Sequence, residues 1–309
     1  MSGLHIDKTV LKAPYVNVLT RHQIPSKFDP GMRNSEQVDL MSGSEGKKRR
    51  SKEADRYSRQ VVFRGMGQAG QERLRGATVA VIGCGGLGSA AVNMLARSGV
   101  GEIIVVDRDH VELSNLQRQV MFDEADAAAK VPKVMAAVRA VARVNSRVRV
   151  RPVVSDVSPA NIELIIGEAD VVIDGTDNFE ARYLLNDACV KLGKPWVYGG
   201  AIGATGMTIT VLPGETACLR CLFPDPPPAA TVVTSETEGV LASIVMTVSA
   251  IQWTEAVKIL IGDKEHLNRD LLAFDLWTNH YERIVSPTRR PDCICCGQRR
   301  FEYLDGRAI

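Results

Sequence analysis

Residues 78–119 read TVAVIGCGGLGSAAVNMLARSGVGEIIVVDRDHVELSNLQRQ. The stretch opens on an apolar, β-branched run, Thr78 to Ile82, of the kind that forms a buried parallel strand. Gly83, Gly85, Gly86 and Gly88 follow it. Ala90 to Arg97 then carries helical spacing, with Ala91, Val92 and Leu95 near one face. A second apolar run, Glu102 to Val106, ends on Asp107. The order is strand, glycine turn, helix, strand, with a carboxylate at the tip of the second strand. Glycines allow a tight turn and the close approach of a phosphate, and the helix N-terminus adds N–H donors and a positive dipole. Asp107 is placed to accept a ribose hydroxyl. Gly83-x-Gly85-x-x-Gly88 satisfies the dinucleotide fingerprint, so this unit alone does not say which nucleotide binds. An NAD enzyme is one reading, and a glycine turn without a ligand is another.

The 309 residues suffice for one large α/β domain or two ordinary ones. A net charge of +2 gives no reason to expect a nucleic-acid partner. No apolar run has the length of a membrane span; the longest, Val240 to Ile251, meets Gln252, Glu255 and Lys258. No membrane partner is expected. The seven cysteines are too few and too unevenly placed for a disulfide scaffold, which points to a reduced, cytoplasmic setting. Residues 1–52 differ from the rest, with scattered Pro and Gly and the basic run Lys47-Lys48-Arg49-Arg50. They read as a flexible extension without chemistry of its own.

Upstream of this stretch, Gln68 to Leu74 reads as a short helix before the first strand. After Asp107, the side chains of Asn115, Arg118 and Gln119 supply amide and guanidinium donors suited to a polyphosphate. The run AAAKVPKVMAAVRAVARVNS predicts one amphipathic helix with Lys130 and Lys133 at its start and Pro132 in its first turn. Arg147–Val153, Ala169–Asp174, Lys194–Gly200 and Met207–Leu212 read as further strands, and Asn161–Ile166, Phe179–Leu192 and Val240–Ile261 as helices. Ligands of open parallel sheets bind at the carboxyl ends of the strands, so Asp107 and Asp177 are expected to face one crevice. Asp177 is then a candidate for magnesium, with a helix N-cap as its alternative. Cys218-Leu-Arg-Cys221 and Cys293-Ile-Cys-Cys296 have the spacing of a four-thiolate zinc site, with every position filled by protein and none left open for catalysis. Cys295 is spare, and Cys189 reads as a core helix residue. Between Cys221 and Gly239 the chain is Pro-rich and lacks helical period, which predicts a loop crossing over the site.

Taken together, RYSRQ (56–60), GCGGLGS (83–89), DRDHVELSNLQRQ (107–119), VPK (131–133), GTDN (175–178) and the two CxxC pairs resemble the MoeB/ThiF/HesA family, prokaryotic relatives of ubiquitin-activating enzymes. The resemblance runs from about Ala54 to Gly297 and displaces the NAD reading. It implies a Rossmann-like α/β fold: an open, mostly parallel sheet with helices on both faces, an antiparallel C-terminal extension and a zinc site of four cysteines. It implies an adenylation domain over residues 53–309, its nucleotide half at about 53–178 and its carrier and zinc half at about 179–309. The implied reaction joins AMP from Mg-ATP to the C-terminal Gly-Gly carboxylate of a small ubiquitin-like sulfur carrier. A peptide or metabolite carboxylate, or a non-catalytic partner role, is the alternative. The implied catalytic residues are Arg59, Arg118, Lys133 and Asp177, with Arg59 acting on the other subunit of a homodimer. The implied nucleotide ligands are Gly83, Gly85, Gly86, Gly88, Asp107, Asp109, Ser114, Asn115, Gln119 and Asn178. Many relatives carry a cysteine just before the E-x-x-G-V segment; here Ser235 stands there, which predicts adenylation without a covalent enzyme–carrier thioester.

Overall fold

The computed structural model describes residues 56–228, 231–285 and 288–306, so the extension expected over residues 1–52 lies outside the described residues. Two short helices, α1 (Ser58–Val62) and α2 (Gly67–Gly76), precede the sheet. Then come β1 (Thr78–Ile82), α3 (Gly86–Ser98), β2 (Glu102–Val106), α4 (Glu124–Ala128), α5 (Lys133–Val144) and β3 (Arg149–Val153). They are followed by α6 (Ile162–Ile166), β4 (Val171–Asp174), α7 (Phe179–Leu192), β5 (Trp196–Ile202) and β6 (Thr205–Val211). The chain closes with α8 (Leu219–Leu222), α9 (Ala242–Ile261) and the hairpin β7 (Leu271–Asp275) and β8 (His280–Ile284). The strands form one eight-stranded sheet in the order β3-β2-β1-β4-β5-β6-β7-β8. It is parallel from β3 to β5 and antiparallel from β5 to β8, which supplies the expected antiparallel extension.

In the parallel half, Val79, Val81, Ile103, Val105, Val171 and Ile173 join one core with Ala91, Val92 and Leu95 of α3 and Val134, Ala137 and Val141 of α5. The alternate residues Ala80, Ile82, Ile104, Val106 and Val172 are equally buried. Both faces are therefore covered, and these strands read as unbroken apolar runs rather than as alternating ones. Each buried Val, Leu or Ile among them contributes about 1.5–3 kcal/mol by leaving water. Helix α9 is long and apolar enough to span a membrane by composition, but half of that window is buried in the protein. It packs on β4, β5, β6 and α3. Its Ser249 hydroxyl donates to Leu87 O at 2.9 Å, and Gln252 Nε2 donates to Asp174 O at 2.7 Å and Val197 O at 3.0 Å.

Two elements depart from the sequence expectation. Helix α3 begins at Gly86, inside the glycine run, rather than at Ala90. The single helix expected from residue 127 is divided: α4 ends at Ala128, Lys130 turns through a left-handed φ of 46°, and α5 begins only at Lys133 with Pro132 as its N-cap. Proline lacks an N–H and disfavours helix in the residue before it, so the amphipathic pattern cannot run through Pro132.

Candidate functional site: a strand-tip crevice and a cysteine centre

The crevice is set by register. Ile82, the last residue of β1, lies opposite Val106 of β2 and Asp174 of β4. The turns that leave these three strands are therefore neighbours. Gly83 N donates to Val106 O and Gly175 N donates to Ile82 O, both at 2.8 Å. Here backbone meets backbone without room for side chains. A Cβ on Gly88 would stand 1.8 Å from Gly83 O, and one on Gly83, whose φ is +88°, 2.6 Å from Gly175 O. Gly85 differs: the nearest atom to a Cβ there is Gln119 Nε2, 3.9 Å away. The packing of the described residues does not demand glycine at 85, and the space beside it is open.

Helix α3 starts at this point without a side-chain cap. Its first N–H groups point into the crevice with the positive end of the dipole. Arg118 and Gln119 border them, with Arg118 Cδ 3.8 Å from the Cβ position of Gly86. Gln119 is 3% exposed, and its Oε1 has no hydrogen-bond partner among the described residues. Both side chains ride on a short 3-10 turn, Leu113–Asn115, in which Asn115 Oδ1 accepts from Glu112 N at 3.2 Å and Ser114 O accepts from Arg118 Nη1 at 3.1 Å.

On the β2 side, Asp107 Oδ2 accepts the Cys84 N–H at 2.7 Å and Oδ1 accepts the Asp109 N–H at 2.8 Å. Burial raises the Asp107 carboxyl above the usual carboxylate range, opposed by the Lys133 ammonium. Burial, and then Asp107, push the Cys84 thiol well up, so it stays protonated and is no nucleophile. Lys133 is 7% exposed and donates to Asp109 Oδ2 at 2.9 Å. Burial opposes the charge on Asp109, yet Lys133 and Arg108 hold its carboxyl below the usual range.

On the β4 side, Asn178 is the N-cap of α7, accepting from Ala181 N at 2.9 Å. The capping alternative for Asp177 is thereby removed. The Asp177 carboxylate is exposed and accepts one long bond, 3.4 Å from Asn178 Nδ2. Beneath it lies a network that sequence reasoning missed. Asp174 is fully buried, accepts from Thr176 N at 2.9 Å and Thr176 Oγ1 at 2.7 Å, and sits 3.4 Å from Arg182 Nε. Arg182 Nη2 donates to Thr176 O at 2.8 Å and Gly199 O at 3.2 Å. The one sequence signal was an acid closing an otherwise apolar strand, VVID, which needs a buried cation nearby.

Arg59 is not brought to the crevice. It is exposed on α1, whose neighbour Gln60 donates to Ser98 O at 3.0 Å, at the far end of α3. Tyr57 packs against Gly99 there and accepts from Asn145 Nδ2 at 2.8 Å. The 13 residues of α3 separate that end from the glycine loop, about 18 Å at 1.5 Å per residue.

Cys218, Cys221, Cys293 and Cys296 form a separate buried centre, their sulfur atoms all within 4.8 Å of one another. Cys218 and Cys293 are 3.7 Å apart, Cys221 and Cys296 3.4 Å. A tetrahedral zinc with bonds of about 2.3 Å requires sulfur separations of about 3.8 Å, so the donor set fits zinc. Asn186 of α7 holds both knuckles: its Oδ1 accepts from Leu219 N at 2.9 Å and its Nδ2 approaches Cys295 Sγ at 3.2 Å. Cys295 is thus a buried partner of α7, and Cys189 is a core residue of that helix, as expected. The segment that leaves this centre returns to the crevice, where Gly203 pairs with Gly239 and Leu241, and Gln117 Nε2 donates to Val240 O at 3.4 Å. Ser235 is exposed on that segment.

Comparison with known proteins agrees with this layout. The ThiF family matches residues 57–295. The sulfur carrier protein ThiS adenylyltransferase of Bacillus subtilis is 42% identical over 250 residues, 81% of this chain and 73% of that protein. The SAMP-activating enzyme E1 of Haloferax volcanii is 42% identical over 251 residues, 81% of this chain and 92% of that protein. Among solved structures, E. coli MccB with ATP superposes with a TM-score of 0.65 at 23% identity, over 79% of this chain and 74% of that one, a likeness of fold. The chain belongs to the ThiF family of E1-like adenylyltransferases.

Proposed function

We propose that this protein adenylates the C-terminal glycine carboxylate of a small ubiquitin-like sulfur carrier. A carboxylate oxygen attacks the α-phosphorus of ATP, an acyl–phosphate bond forms, the bond to the β-phosphate breaks and pyrophosphate leaves. The observation that carries the reading is the register of the β1, β2 and β4 tips, which gathers the glycine loop, Asp107 and Asp177 around one crevice. In this reading the uncapped start of α3 and the space at Gly85 admit the phosphates, and Asp107 holds the ribose. Arg118, Gln119 and Lys133 offset the charge that spreads over the phosphoryl oxygens. Lys133 is pre-positioned by Asp109 and is released toward the phosphates when they arrive. Asp177 would hold a magnesium ion, which screens the phosphate charge. Asp109, Ser114, Asn115 and Asn178 shape the walls. The names of the two relatives, an activator of ThiS and an activator of SAMP, support a carrier protein as substrate.

The position of Arg59 at the far end of α3 supports a homodimer in which a second copy supplies it. The four thiols suit zinc, which ties the two knuckles together and stands apart from the chemistry. All seven cysteines are buried thiols, in keeping with a reduced, cytoplasmic setting. With Ser235 exposed and no accessible thiol, the adenylate is passed on without a covalent enzyme intermediate. Intact mass measurement of a Gly-Gly-ended carrier incubated with ATP and the protein is expected to show one added AMP, reversed by pyrophosphate. A thiol-labile enzyme–carrier adduct instead would contradict the last step.

A further inference from the structure

Arg220 lies between the two cysteines of the first knuckle, yet it is 6% exposed. Its guanidinium carbon is 6.0 Å from the ring centroid of Tyr183 and 5.7 Å from that of Tyr303. Nη1 pairs with Glu302 Oε2 at 3.1 Å, and Nε donates to Pro224 O at 3.2 Å. The Tyr183 hydroxyl donates to Phe223 O at 2.9 Å. Two consecutive carbonyls are therefore held by buried side chains at the point where the chain leaves the cysteine centre. Asp225 comes next, and after it Pro226-Pro227-Pro228, a run that offers no N–H to any partner. Such a run is stiff and extended, so a direction set at Phe223 and Pro224 is carried along it. A burial this complete is unusual for an arginine. Its cost is matched by one carboxylate, two rings and one carbonyl, an arrangement that lysine's compact ammonium does not reproduce.

We propose that Arg220, with Tyr183, sets the direction in which the crossover segment leaves the cysteine centre and is thereby a positioning residue for the carrier's tail. The inference rests on the proposed adenylation of a carrier and on the expectation that the segment between Cys221 and Gly239 crosses over the site, and so over a carrier tail bound there. None of these contacts of Arg220 is with the glycine loop, Lys133 or Asp177, so its effect is separable from nucleotide binding.

The test uses the full-length protein and the variants Arg220→Met and Tyr183→Phe, the second of which keeps its ring and removes the hydroxyl that donates to Phe223 O. In both, hydrogen exchange of the amides in residues 219–225 is expected to rise about tenfold or more. The KM for the carrier in pyrophosphate exchange is expected to rise about fivefold or more, while the KM for ATP and kcat move by less than about twofold. Metal content is measured alongside; if Arg220→Met loses metal, Tyr183→Phe decides. Unchanged amide exchange would overturn the clamp. Faster exchange with an unchanged carrier KM would leave the clamp standing and overturn its assignment to the carrier's tail, without touching the adenylation reading.

Discussion

Gly85, the N-cap of α3, and Gly88, in that helix's first turn, stand three residues apart, and their missing side chains do different work. At Gly88 a Cβ meets Gly83 O at 1.8 Å, so Gly88→Ala forces β1 and α3 apart. It is expected to cost about 3 kcal/mol or more in urea unfolding. At Gly85 the nearest atom is 3.9 Å away. Gly85→Ala is expected to stay within about 1 kcal/mol of the parent and to raise the KM for ATP at least about tenfold by filling the space left for phosphate. Stability and nucleotide affinity measured on the same two proteins separate the roles. The fingerprint told from sequence that glycine was needed; it could not tell which glycine serves packing and which serves a ligand, because that depends on how closely Gly88 folds back on Gly83 and Gly83 in turn meets Gly175, some 90 residues on. Asp107 allows a second prediction at this scale. Its carboxyl is raised by burial, so folding favours its protonated form, and that contribution is lost as the pH climbs through the folded-state value. At neutral pH the ionised group therefore weakens the free protein. Asp107→Asn removes the charge but leaves the N–H of Cys84 or of Asp109 without an acceptor, so its melting point is expected to improve relative to the parent as the pH rises from about 4 to 7, and it is expected to bind ATP poorly. A melting-point difference that falls as the pH rises over that range would contradict this.

Among the elements, α7 links the crevice to the cysteine centre. Its N-terminus carries Asn178 next to Asp177, Arg182 grips the Asp174 network, and Asn186 holds the cysteine knuckles. Arg182→Met would leave Asp174 charged, buried and without its cation. A loss of about 3–5 kcal/mol is expected, most of it recovered by adding Asp174→Asn, and a double-mutant cycle on unfolding free energies checks the coupling. Additive effects would show that the pair is not the unit described. The helix itself was plain from its periodicity, and so were the buried strands, whose composition reports two covered faces. What could not be read was α7's set of partners, since Thr176, Gly199, Leu219 and Cys295 converge only through the sheet order. Pro132 was legible in principle: the amphipathic pattern continued on both sides of it, and the backbone rule against helix before proline decided the break.

At the scale of the whole molecule, the chain places four of its motifs at one end of the sheet and leaves Arg59 at the other end of α3. If a second copy completes each site, a dead Arg59→Ala chain and a dead Asp177→Ala chain should rescue one another. Co-expressed and assembled at random, they are expected to recover about a quarter of parent activity, since half of the dimers hold one intact site of two. No recovery would mean that Arg59 acts within its own chain or not at all. Sequence order alone held this resemblance together, yet it gave no distance between RYSRQ and the glycine loop; only the docking of Tyr57 and Gln60 on the end of α3 supplied that. If the strand-tip crevice activates a carrier's carboxylate with ATP, labelled pyrophosphate exchanges into ATP when a small protein ending in Gly-Gly is present and does not when it is absent. That exchange is expected to require the carrier's intact C-terminus and to be lost in Asp177→Ala without loss of folding. Exchange that proceeds without any carrier, or that survives in Asp177→Ala, would contradict it.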